Sequence, residues 1–359
     1  ILLSLERHQS VDLYLLVTGS HLKEEFGLTI QYIKKDKFKN LVEIDILGEG
    51  DDRIDMSYSI SRGIKSFSSF FHQNIEFLMV LGDRFEVFAA SLAARILGIP
   101  IIHFSGGDTS EGSLDNEFRH SISLMSELHL VKLEEHKQKL INLGIKDKNI
   151  FRIGSLSIDN FNNFQKLKLE EINENFSTNI KRPFAIVSFH SVTNSDNAYD
   201  NDVNRFLESL FSIKNLFLVF TASSSDFGGR NFNSIIQSWV KKFPDRSAYV
   251  ESFGKDAYFS LLSLANLMIG NSSSGLLESG NFRIPAINIL PRQKGRLHNK
   301  NVINVENKDN ELTIAIESAL STEFINNCKK IENIFDAGLD ESISNYSVKK
   351  ILTHMGVDH

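Results

Sequence analysis

Short, continuously apolar runs alternate along this chain with longer segments of helical periodicity, and this alternation constrains the fold more than any other feature. An unbroken apolar run is typical of a strand covered on both faces, as in the middle of a parallel sheet. Strands that alternate with helices over the whole length indicate βαβ units. The predicted strands are Leu13–Thr18, Val42–Leu47, Phe77–Gly82, Ile101–Ser105, Leu128–Val131, Phe151–Gly154, Ala185–His190, Leu216–Thr221, Tyr249–Phe253, Leu267–Gly270 and Ala286–Leu290.

Helical patterns fill the spaces between these strands, and a chain of 359 residues is too long for one ordinary core. The clearest helices are predicted over Arg84–Leu97, Asp115–Met125, Leu133–Leu143 and Val203–Phe211. We therefore predict an α/β protein of two Rossmann-like domains. Lysine, glutamate and asparagine dominate between Asp159 and Lys181, which divides the chain into domains of 1–165 and 166–338 and a helix in 339–359 that packs back on the first domain.

Composition narrows the class of function. A hydrophobic content of 42% with 23% charged residues is typical of a folded globular protein. The net charge of −6 argues against a general nucleic-acid binder, and no apolar run has membrane-spanning length. The single cysteine, Cys328, excludes an intrachain disulfide and fits a reducing, cytoplasmic compartment. Because no histidine pair has metal-ligand spacing, we predict neither a metal site nor a cofactor.

An apolar run at Leu267–Ile269 ends abruptly in the sequence Gly-Asn-Ser-Ser-Ser-Gly at Gly270–Gly275, here called the serine loop. A helix is predicted to follow over Leu276–Gly280. The first turn of a helix presents unpaired N–H groups and the positive end of the helix dipole, so the loop suits a phosphate or diphosphate. Glu278, one turn into the helix, is placed to accept hydrogen bonds from sugar hydroxyls. The alternative is a serine that caps the helix without any ligand.

Polar residues follow five of the predicted strands, at the edge where ligands bind in open parallel sheets. We predict that these strand ends face one cleft between the two domains and form a ligand site there. The strand ends are marked by Asp83, Asp108, His190, the serine loop, and Arg292 with Arg296.

Each of these residues also has a structural interpretation. Asp83 can cap the helix that follows it, and Asp108 can be a turn residue after two glycines. Asp115 and Arg119 have i, i+4 spacing, for which a surface salt bridge is the default explanation. His190 can be a hydrogen-bonded core histidine. Three further histidines are interpreted as structural: His103, His120 and His129.

Taken together, the motifs resemble those of the hydrolysing UDP-N-acetylglucosamine 2-epimerases of sialic and legionaminic acid synthesis. They occur in the family's order over nearly the whole chain. The matching residues are Val17-Thr18-Gly19, Gly82-Asp83-Arg84, Gly106-Gly107-Asp108, Asp115, Arg119-His120-Ser121-Ile122, Phe189-His190, the serine loop, and Arg292-Gln293-Lys294-Gly295-Arg296. The resemblance implies the two-domain GT-B architecture with the active site between the domains, a UDP-sugar substrate and a homo-oligomer, dimer or tetramer.

The resemblance also implies a reaction and roles for residues. UDP is eliminated across C1–C2 of the sugar, and water then adds to release the free 2-epimer. Asp83, Asp108 and Asp115 match the family's acidic residues, and which of them takes the C2 proton stays open. His190 stabilises the leaving diphosphate or acts as an acid, and Arg119 pairs with Asp115 or meets the diphosphate. The UDP-binding residues implied are Ser272, Ser273, Ser274, Gly275, Glu278 and Arg292.

The sequence departs from the family pattern in three places. It starts at Ile1, after the position of the family's first strand and loop, so we expect an element upstream. Asp108 stands where many members have glutamate, and Ser191 stands where proline is frequent. The last two differences fit a different substrate, such as UDP-2,4-diacetamido-2,4,6-trideoxyglucose. Two other functions remain open, a GT-B glycosyltransferase with a UDP-sugar donor and a non-catalytic UDP-sugar binding protein.

Overall fold

A computed structural model describes residues 1–48, 50, 52–72, 75–109, 114–190, 199–222, 229–306, 308 and 310–357. The chain forms two compact units. Unit 1 comprises Ile1–Thr109, Leu114–Leu156 and the chain from Phe335 onward, and unit 2 comprises Ser157–Ile334.

Unit 1 contains two parallel sheets, one of two strands and one of four in the order β3-β4-β5-β6. Helix α3 packs on α4, and α16 packs on β5. The elements are α1 (Leu2–Glu6), β1 (Tyr14–Thr18), α2 (Ile30–Lys35), β2 (Asn40–Ile44), α3 (Arg53–Phe71), β3 (Leu78–Leu81), α4 (Phe85–Ile96), β4 (Ile101–Phe104), α5 (Asp115–Met125), β5 (Leu128–Val131), α6 (Glu134–Asn142), β6 (Ile150–Arg152) and, after unit 2, α16 (Ile343–Met355).

Unit 2 is built around one parallel sheet of six strands in the order β12-β11-β10-β7-β8-β9. Its elements are α7 (Ser157–Asn163), α8 (Leu169–Phe176), β7 (Phe184–Ser188), α9 (Tyr199–Ser212), β8 (Phe217–Thr221), α10 (Gly229–Lys242), β9 (Ser247–Val250), α11 (Gly254–Leu264), β10 (Leu267–Gly270), α12 (Ser274–Leu277), α13 (Ser279–Phe282), β11 (Ala286–Ile289), β12 (Val302–Val305), α14 (Glu311–Ala319) and α15 (Thr322–Cys328).

The sheet of unit 2 is covered on both faces, which explains its unbroken apolar runs. Along β7, Ala185 and Val187 belong to one buried cluster, which includes side chains of α9, α10 and α14. Phe184 and Ile186 belong to a second cluster, which includes side chains of α8 and α11. Successive side chains of a strand point to opposite faces, so both faces of β7 need apolar residues.

All eleven predicted strands are present, with ends that differ by a few residues, and the four predicted helices are present as well. The sequence analysis missed β12, a short strand interrupted by Asn304. The units meet at Leu156 and Ser157, earlier than the composition change suggested. Helix α7 lies in unit 2, where the ring of Phe161 packs against that of Phe282 at 5.0 Å between centroids.

The chain returns to unit 1 at Phe335 through contacts with the segment after β6. Ser155 N–H donates to the Phe335 carbonyl at 2.9 Å, and the Arg152 guanidinium donates to the Asp336 carbonyl at 2.9 Å. Gly154 has φ +79°, and a Cβ there would lie 2.6 Å from the Phe335 carbonyl oxygen. Only glycine fits this close approach without strain.

Candidate active site

In unit 1 a buried arginine joins the loops that follow β3 and β4. Arg119 on α5 is 1% exposed, and its guanidinium forms an ion pair with the Asp83 carboxylate. The same guanidinium donates to the backbone carbonyl of Asp108 at 3.1 Å. A surface salt bridge is therefore the wrong explanation for Arg119. The capping interpretation of Asp83 is also wrong, because Arg84 occupies the N-cap position of α4.

A buried histidine connects the loop after β3 to helix α5. His103 on β4 places Nε2 2.8 Å from the Gly82 carbonyl and Nδ1 3.0 Å from the Ser123 hydroxyl. Burial lowers the pKa of His103 to about 4, so the ring is neutral at pH 7. Because a carbonyl only accepts, the ring hydrogen belongs on Nε2. The Ser123 hydroxyl also lies 3.0 Å from the Arg119 carbonyl, so its one hydrogen has two acceptors, that carbonyl and His103 Nδ1. His103 thus fixes the backbone one residue before Asp83.

The Asp108 carboxylate is buried, with 6% of the residue exposed. Oδ1 accepts from the Thr109 N–H at 2.8 Å and lies 3.6 Å from His136 Nε2, while Oδ2 lies 3.5 Å from Lys132 Nζ. The turn interpretation accounts for the Thr109 contact alone. Charged and polar side chains from outside the turn surround the remainder of the carboxylate. Gly107, at φ +78°, passes so close to α6 that a Cβ would lie 2.3 Å from the His136 carbonyl oxygen.

Asp115 is the first residue of α5 and is partly buried, one turn before Arg119. A carboxylate in the first turn of a helix is stabilised by the helix dipole. Three of the predicted acidic residues thus come from the ends of β3 and β4 and from the start of α5. Arg119, on the next turn of α5, contacts the first two of them.

In unit 2 the serine loop follows β10 directly. Gly270 has φ +145°, and a Cβ there would lie 1.9 Å from the Ser188 carbonyl oxygen on β7. The predicted helix over Leu276–Gly280 is wrong in its boundaries. The chain forms two short helices, α12 and α13, which meet at Glu278. Ser273 occupies the N-cap position of α12, but its side chain forms no capping hydrogen bond.

The buried side chain of Asn271 binds the backbone of His190 at two points. Its Oδ1 accepts from the His190 N–H at 2.6 Å, and its Nδ2 donates to the His190 carbonyl at 2.8 Å. The amide acts in place of a neighbouring strand and holds the second residue after β7. His190 is partly buried, not a fully enclosed core residue. Ser191, the proline position of the resemblance, lies outside the described residues.

Three side chains form a hydrogen-bonded series beside the serine loop. The Tyr258 hydroxyl lies 2.7 Å from Ser274 Oγ, and Ser274 Oγ donates to the Glu278 carboxylate. Because a hydroxyl has one hydrogen, Tyr258 is the donor to Ser274. Burial raises the pKa of the Glu278 carboxyl and is the larger influence, while the hydrogen bond from Ser274 lowers it. Burial, followed by the Glu278 charge, also raises the pKa of Tyr258.

Arg292 and Gln293, which follow β11, contact the backbone of the serine loop, and Arg296 contacts Gln293. Arg292 Nη1 donates to the Asn271 carbonyl at 3.1 Å, and Gln293 Nε2 donates to the same oxygen at 2.8 Å. Arg296 Nη1 donates to Gln293 Oε1 at 2.9 Å. The structure therefore brings Arg292, the serine loop and His190 together around Asn271.

Sequence reasoning missed several residues of these clusters. Asn271 and Gln293 lie inside the recognised motifs, but only the fold reveals that they bind backbone atoms. Lys132 follows directly on a predicted strand, so the strand-end argument already contained a signal for it. His136 and Tyr258 lie within helices, and no sequence pattern marks them.

The described residues form neither a metal-binding cluster nor a membrane-spanning helix. No group of three or more histidine, cysteine, aspartate or glutamate side chains in that part of the chain is placed to hold a metal ion. Among the helices described, none is both long and apolar enough to cross a membrane.

The fold defines the class of protein: an α/β fold of two Rossmann-like domains built on parallel sheets, of the GT-B kind. The UDP-N-acetylglucosamine 2-epimerase from Neisseria meningitidis bound to UDP-GlcNAc aligns with a TM-score of 0.79 at 18% identity, over 98% of this chain and 95% of that one. A structure from Listeria monocytogenes described as a UDP-N-acetylglucosamine 2-epimerase gives 0.77 at 17% identity, over 99% and 91% of the two chains.

Sequence comparison identifies the family. Residues 3–342 match the UDP-N-acetylglucosamine 2-epimerase family, and the chain belongs to it. A GDP/UDP-N,N'-diacetylbacillosamine 2-epimerase (hydrolysing) from Campylobacter jejuni is 35% identical over 324 residues, 90% of this chain and 84% of the relative. The UDP-N,N'-diacetylbacillosamine 2-epimerase (hydrolysing) of Legionella pneumophila is 28% identical over 324 residues, 89% of this chain and 84% of the relative.

Proposed function

We propose that this chain is a hydrolysing 2-epimerase of UDP-2-acetamido sugars. In the first step the C2–H bond breaks, the proton goes to a protein base, the C1–O bond breaks and UDP leaves. In the second step water adds its hydroxyl to C1, and a proton adds to C2 on the opposite face. The products are UDP and the free 2-epimer. The observation that supports this most is the pairing of buried Arg119 with the strand-end loops of Asp83 and Asp108.

Unit 1 supplies the carboxylates. Carboxylates suit the reaction because they can take the C2 proton and stabilise positive charge at C1 as the diphosphate leaves. Asp83, Asp108 and Asp115 are the three candidates for the base. Arg119 holds Asp83 in one orientation, so a fixed negative charge meets the reacting carbons without reorganisation.

Unit 2 binds UDP. Ser272, Ser273 and Gly275 are proposed to hold the diphosphate through N–H and hydroxyl groups, with Arg292 nearby. The Ser274 hydroxyl hydrogen is used by Glu278, and the Ser274 N–H lies 3.4 Å from Ser272 Oγ, so Ser274 is proposed to share this N–H with the diphosphate. Glu278, held by Ser274 and Tyr258, accepts from the ribose hydroxyls. Asn271 places His190 to stabilise the leaving diphosphate or to protonate it.

The sugar is proposed to be either N-acetylglucosamine or its 2,4-diacetamido-2,4,6-trideoxy counterpart. The Campylobacter and Legionella relatives are named for N,N'-diacetylbacillosamine, a sugar of the second kind. A Neisseria meningitidis relative named UDP-N-acetylglucosamine 2-epimerase is 28% identical over 326 residues. The corresponding products are N-acetylmannosamine and its diacetamido-trideoxy analogue, precursors of sialic-type acids.

We also propose a cytoplasmic homo-oligomer. The one cysteine of the chain, Cys328, is free and buried, and burial raises its pKa to about 11. A thiol in this state reacts slowly and needs no oxidising compartment. Sedimentation velocity of the purified protein at several concentrations tests the assembly, and a purely monomeric species would contradict it.

Proton NMR in deuterated water tests the reaction. The protein is incubated separately with UDP-N-acetylglucosamine and with the UDP-diacetamido-trideoxy sugar. Release of UDP with a free 2-epimer that has deuterium at C2 is expected for one of the two. Sugar transfer to an acceptor, or binding without turnover, would refute the proposal.

Variants of the three aspartates identify the base. The Asp83→Asn, Asp108→Asn and Asp115→Asn proteins are compared for turnover and for UDP affinity. All three are expected to lose turnover while UDP binding persists, and the base variant should also lose exchange of the C2 proton. Glu278→Ala, in contrast, should weaken UDP binding, and unchanged affinity would show that the ribose assignment is wrong.

A further inference from the structure

We infer that Lys132 and His136 are positioning residues of the elimination reaction, which hold the Asp108 carboxylate charged and in a single orientation. The inference rests on the proposed function, and it adds two residues that neither the motifs nor the family resemblance assign. Three observations support it: the position of these two side chains, the carboxylate oxygen that each one faces, and the charge that each one has at pH 7.

Lys132 and His136 both follow β5, the strand next to β4, and Asp108 lies in the loop that follows β4. Strands β4 and β5 are parallel neighbours, with Phe104 opposite Leu130. Lys132 is the first residue after β5, so it lies at the same edge of the sheet as the Asp108 loop. His136 lies in the first turn of α6, which starts at Glu134. The end of β5 therefore supplies a cation and a ring to the loop at the end of β4.

Each carboxylate oxygen of Asp108 has its own neighbour. Lys132 Nζ lies 3.5 Å from Oδ2, and His136 Nε2 lies 3.6 Å from Oδ1. The side chains of Lys132 and His136 are 15% and 6% exposed. A carboxylate removed from water keeps its charge only where a cation or donors face it. Two neighbours on two oxygens also restrict rotation of the carboxylate.

Among the residues that the structure describes, Lys132 is the cation whose ion pair with the Asp108 carboxylate is seen. Burial lowers the pKa of His136 to about 4, against the opposing effect of Asp108, so its ring is neutral at pH 7. Arg119 donates to the Asp108 backbone carbonyl, and its ion pair is with Asp83. From α6, Lys139 Nζ donates to the Thr109 hydroxyl and Glu135 acts on His136.

Close backbone packing fixes the Asp108 loop against the start of α6. A Cβ on Gly107 would lie 2.3 Å from the His136 carbonyl oxygen, so the loop before Asp108 packs directly on the start of α6. The loop cannot shift without moving His136 as well. The carboxylate and its two neighbours therefore behave as one unit, and removal of either neighbour changes the orientation or charge of Asp108.

Paired variants test the inference. Lys132→Met removes the charge at similar length, and Lys132→Arg keeps the charge. His136→Leu replaces the polar ring by an apolar side chain, and His136→Gln restores a polar group at the end of the side chain. Turnover of the UDP-sugar is measured from pH 5 to pH 9 as kcat and KM, with UDP affinity by calorimetry and thermal unfolding as controls for the fold.

The expected result is a kcat about 10-fold to 100-fold lower at pH 7 for Lys132→Met and His136→Leu, as for a slightly misplaced catalytic group. KM and UDP affinity stay near wild type. The acidic limb of the Lys132→Met profile moves to higher pH, since the carboxylate keeps its charge less well without the ammonium. Lys132→Arg and His136→Gln recover most of the loss.

Wild-type kcat and an unshifted pH profile in both Lys132→Met and His136→Leu would overturn this inference alone. If one of them fails to fold, the remaining pair gives the same test. Absence of turnover by the wild-type protein with either sugar would overturn the proposed function, and this inference with it.

Discussion

Replacing Asn271 by alanine is expected to destabilise unit 2 and to lower kcat together. Asn271 is 1% exposed, and its amide makes two hydrogen bonds to the His190 backbone, at 2.6 and 2.8 Å. Each lost hydrogen bond costs about 1 kcal/mol net, and up to about 3 kcal/mol where the partner stays buried and unpaired. The two bonds together predict a loss of about 2–4 kcal/mol in the free energy of unfolding.

An aspartate at the same position separates the two bonds. Asn271→Asp keeps the acceptor for the His190 N–H but places a carboxylate oxygen where Nδ2 met the His190 carbonyl. We expect a loss of stability comparable to that of the alanine variant, because repulsion between two oxygens replaces one hydrogen bond. The exposed Asn215→Ala change in the same unit serves as the control, and its effect should stay within about 0.5 kcal/mol.

Urea unfolding followed by tryptophan fluorescence measures the stability, since the single tryptophan, Trp239, lies in α10 of unit 2. Turnover and UDP affinity are measured on the same samples below the unfolding transition. If loss of the Asn271 amide displaces His190, the folded Asn271→Ala protein should have a lower kcat than wild type. An unfolding free energy within about 0.5 kcal/mol of wild type, together with an unchanged kcat, would refute the role given to the Asn271 amide.

Three further predictions concern backbone, charge and pH. Gly270→Ala should leave little folded protein by circular dichroism, because its Cβ would lie 1.9 Å from a carbonyl oxygen of β7; a stable variant would contradict the close approach. Arg119→Met should cost about 3–5 kcal/mol in thermal or urea unfolding, because it leaves Asp83 with an unneutralised charge, and Arg119→Lys should recover part of it. The free energy of unfolding should fall as the pH drops from 6.5 towards 4. Burial lowers the pKa of His103 and of His136 from 6.5 to about 4, so over this interval the two rings bind protons in the unfolded chain but not in the folded one. His103 alone contributes about 3 kcal/mol over that interval, and a His103→Gln protein should show a shallower slope in unfolding experiments across this range.

Much of the fold was predictable because the central strands of unit 2 are buried on both faces. A run such as Leu267–Ile269 has no polar interruption, so its position and its end could be recognised without any tertiary information. Strand β12 was missed because Asn304 interrupts a run of only four residues. The helix boundaries after the serine loop were missed because the helix breaks at Glu278, between α12 and α13, and no periodicity marks this break.

The candidate site was predictable where its residues end a strand. Asp83, Asp108 and the serine loop were recognised from this position, because parallel strands bring their carboxyl ends to one edge. The partners of these residues were not recognised. Arg119 had been given a surface role from its spacing with Asp115, whereas the fold buries it against Asp83. Such contacts depend on the packing of α5 across two strand ends, which local sequence does not encode.

The return of the chain to unit 1 at Phe335 has a consequence for the order in which the molecule is made. The described part of unit 2 lies within Ser157–Ile334, so it can fold as soon as residue 334 has left the ribosome. Unit 1 is discontinuous, and the surface of β5 that α16 covers stays open until α16 is synthesised. Unit 1 therefore completes its fold after unit 2, and the apolar surface of its sheet stays exposed until then. Damage to α16 would consequently weaken the unit that carries Asp83, Asp108 and Arg119, far away in sequence, and spare unit 2.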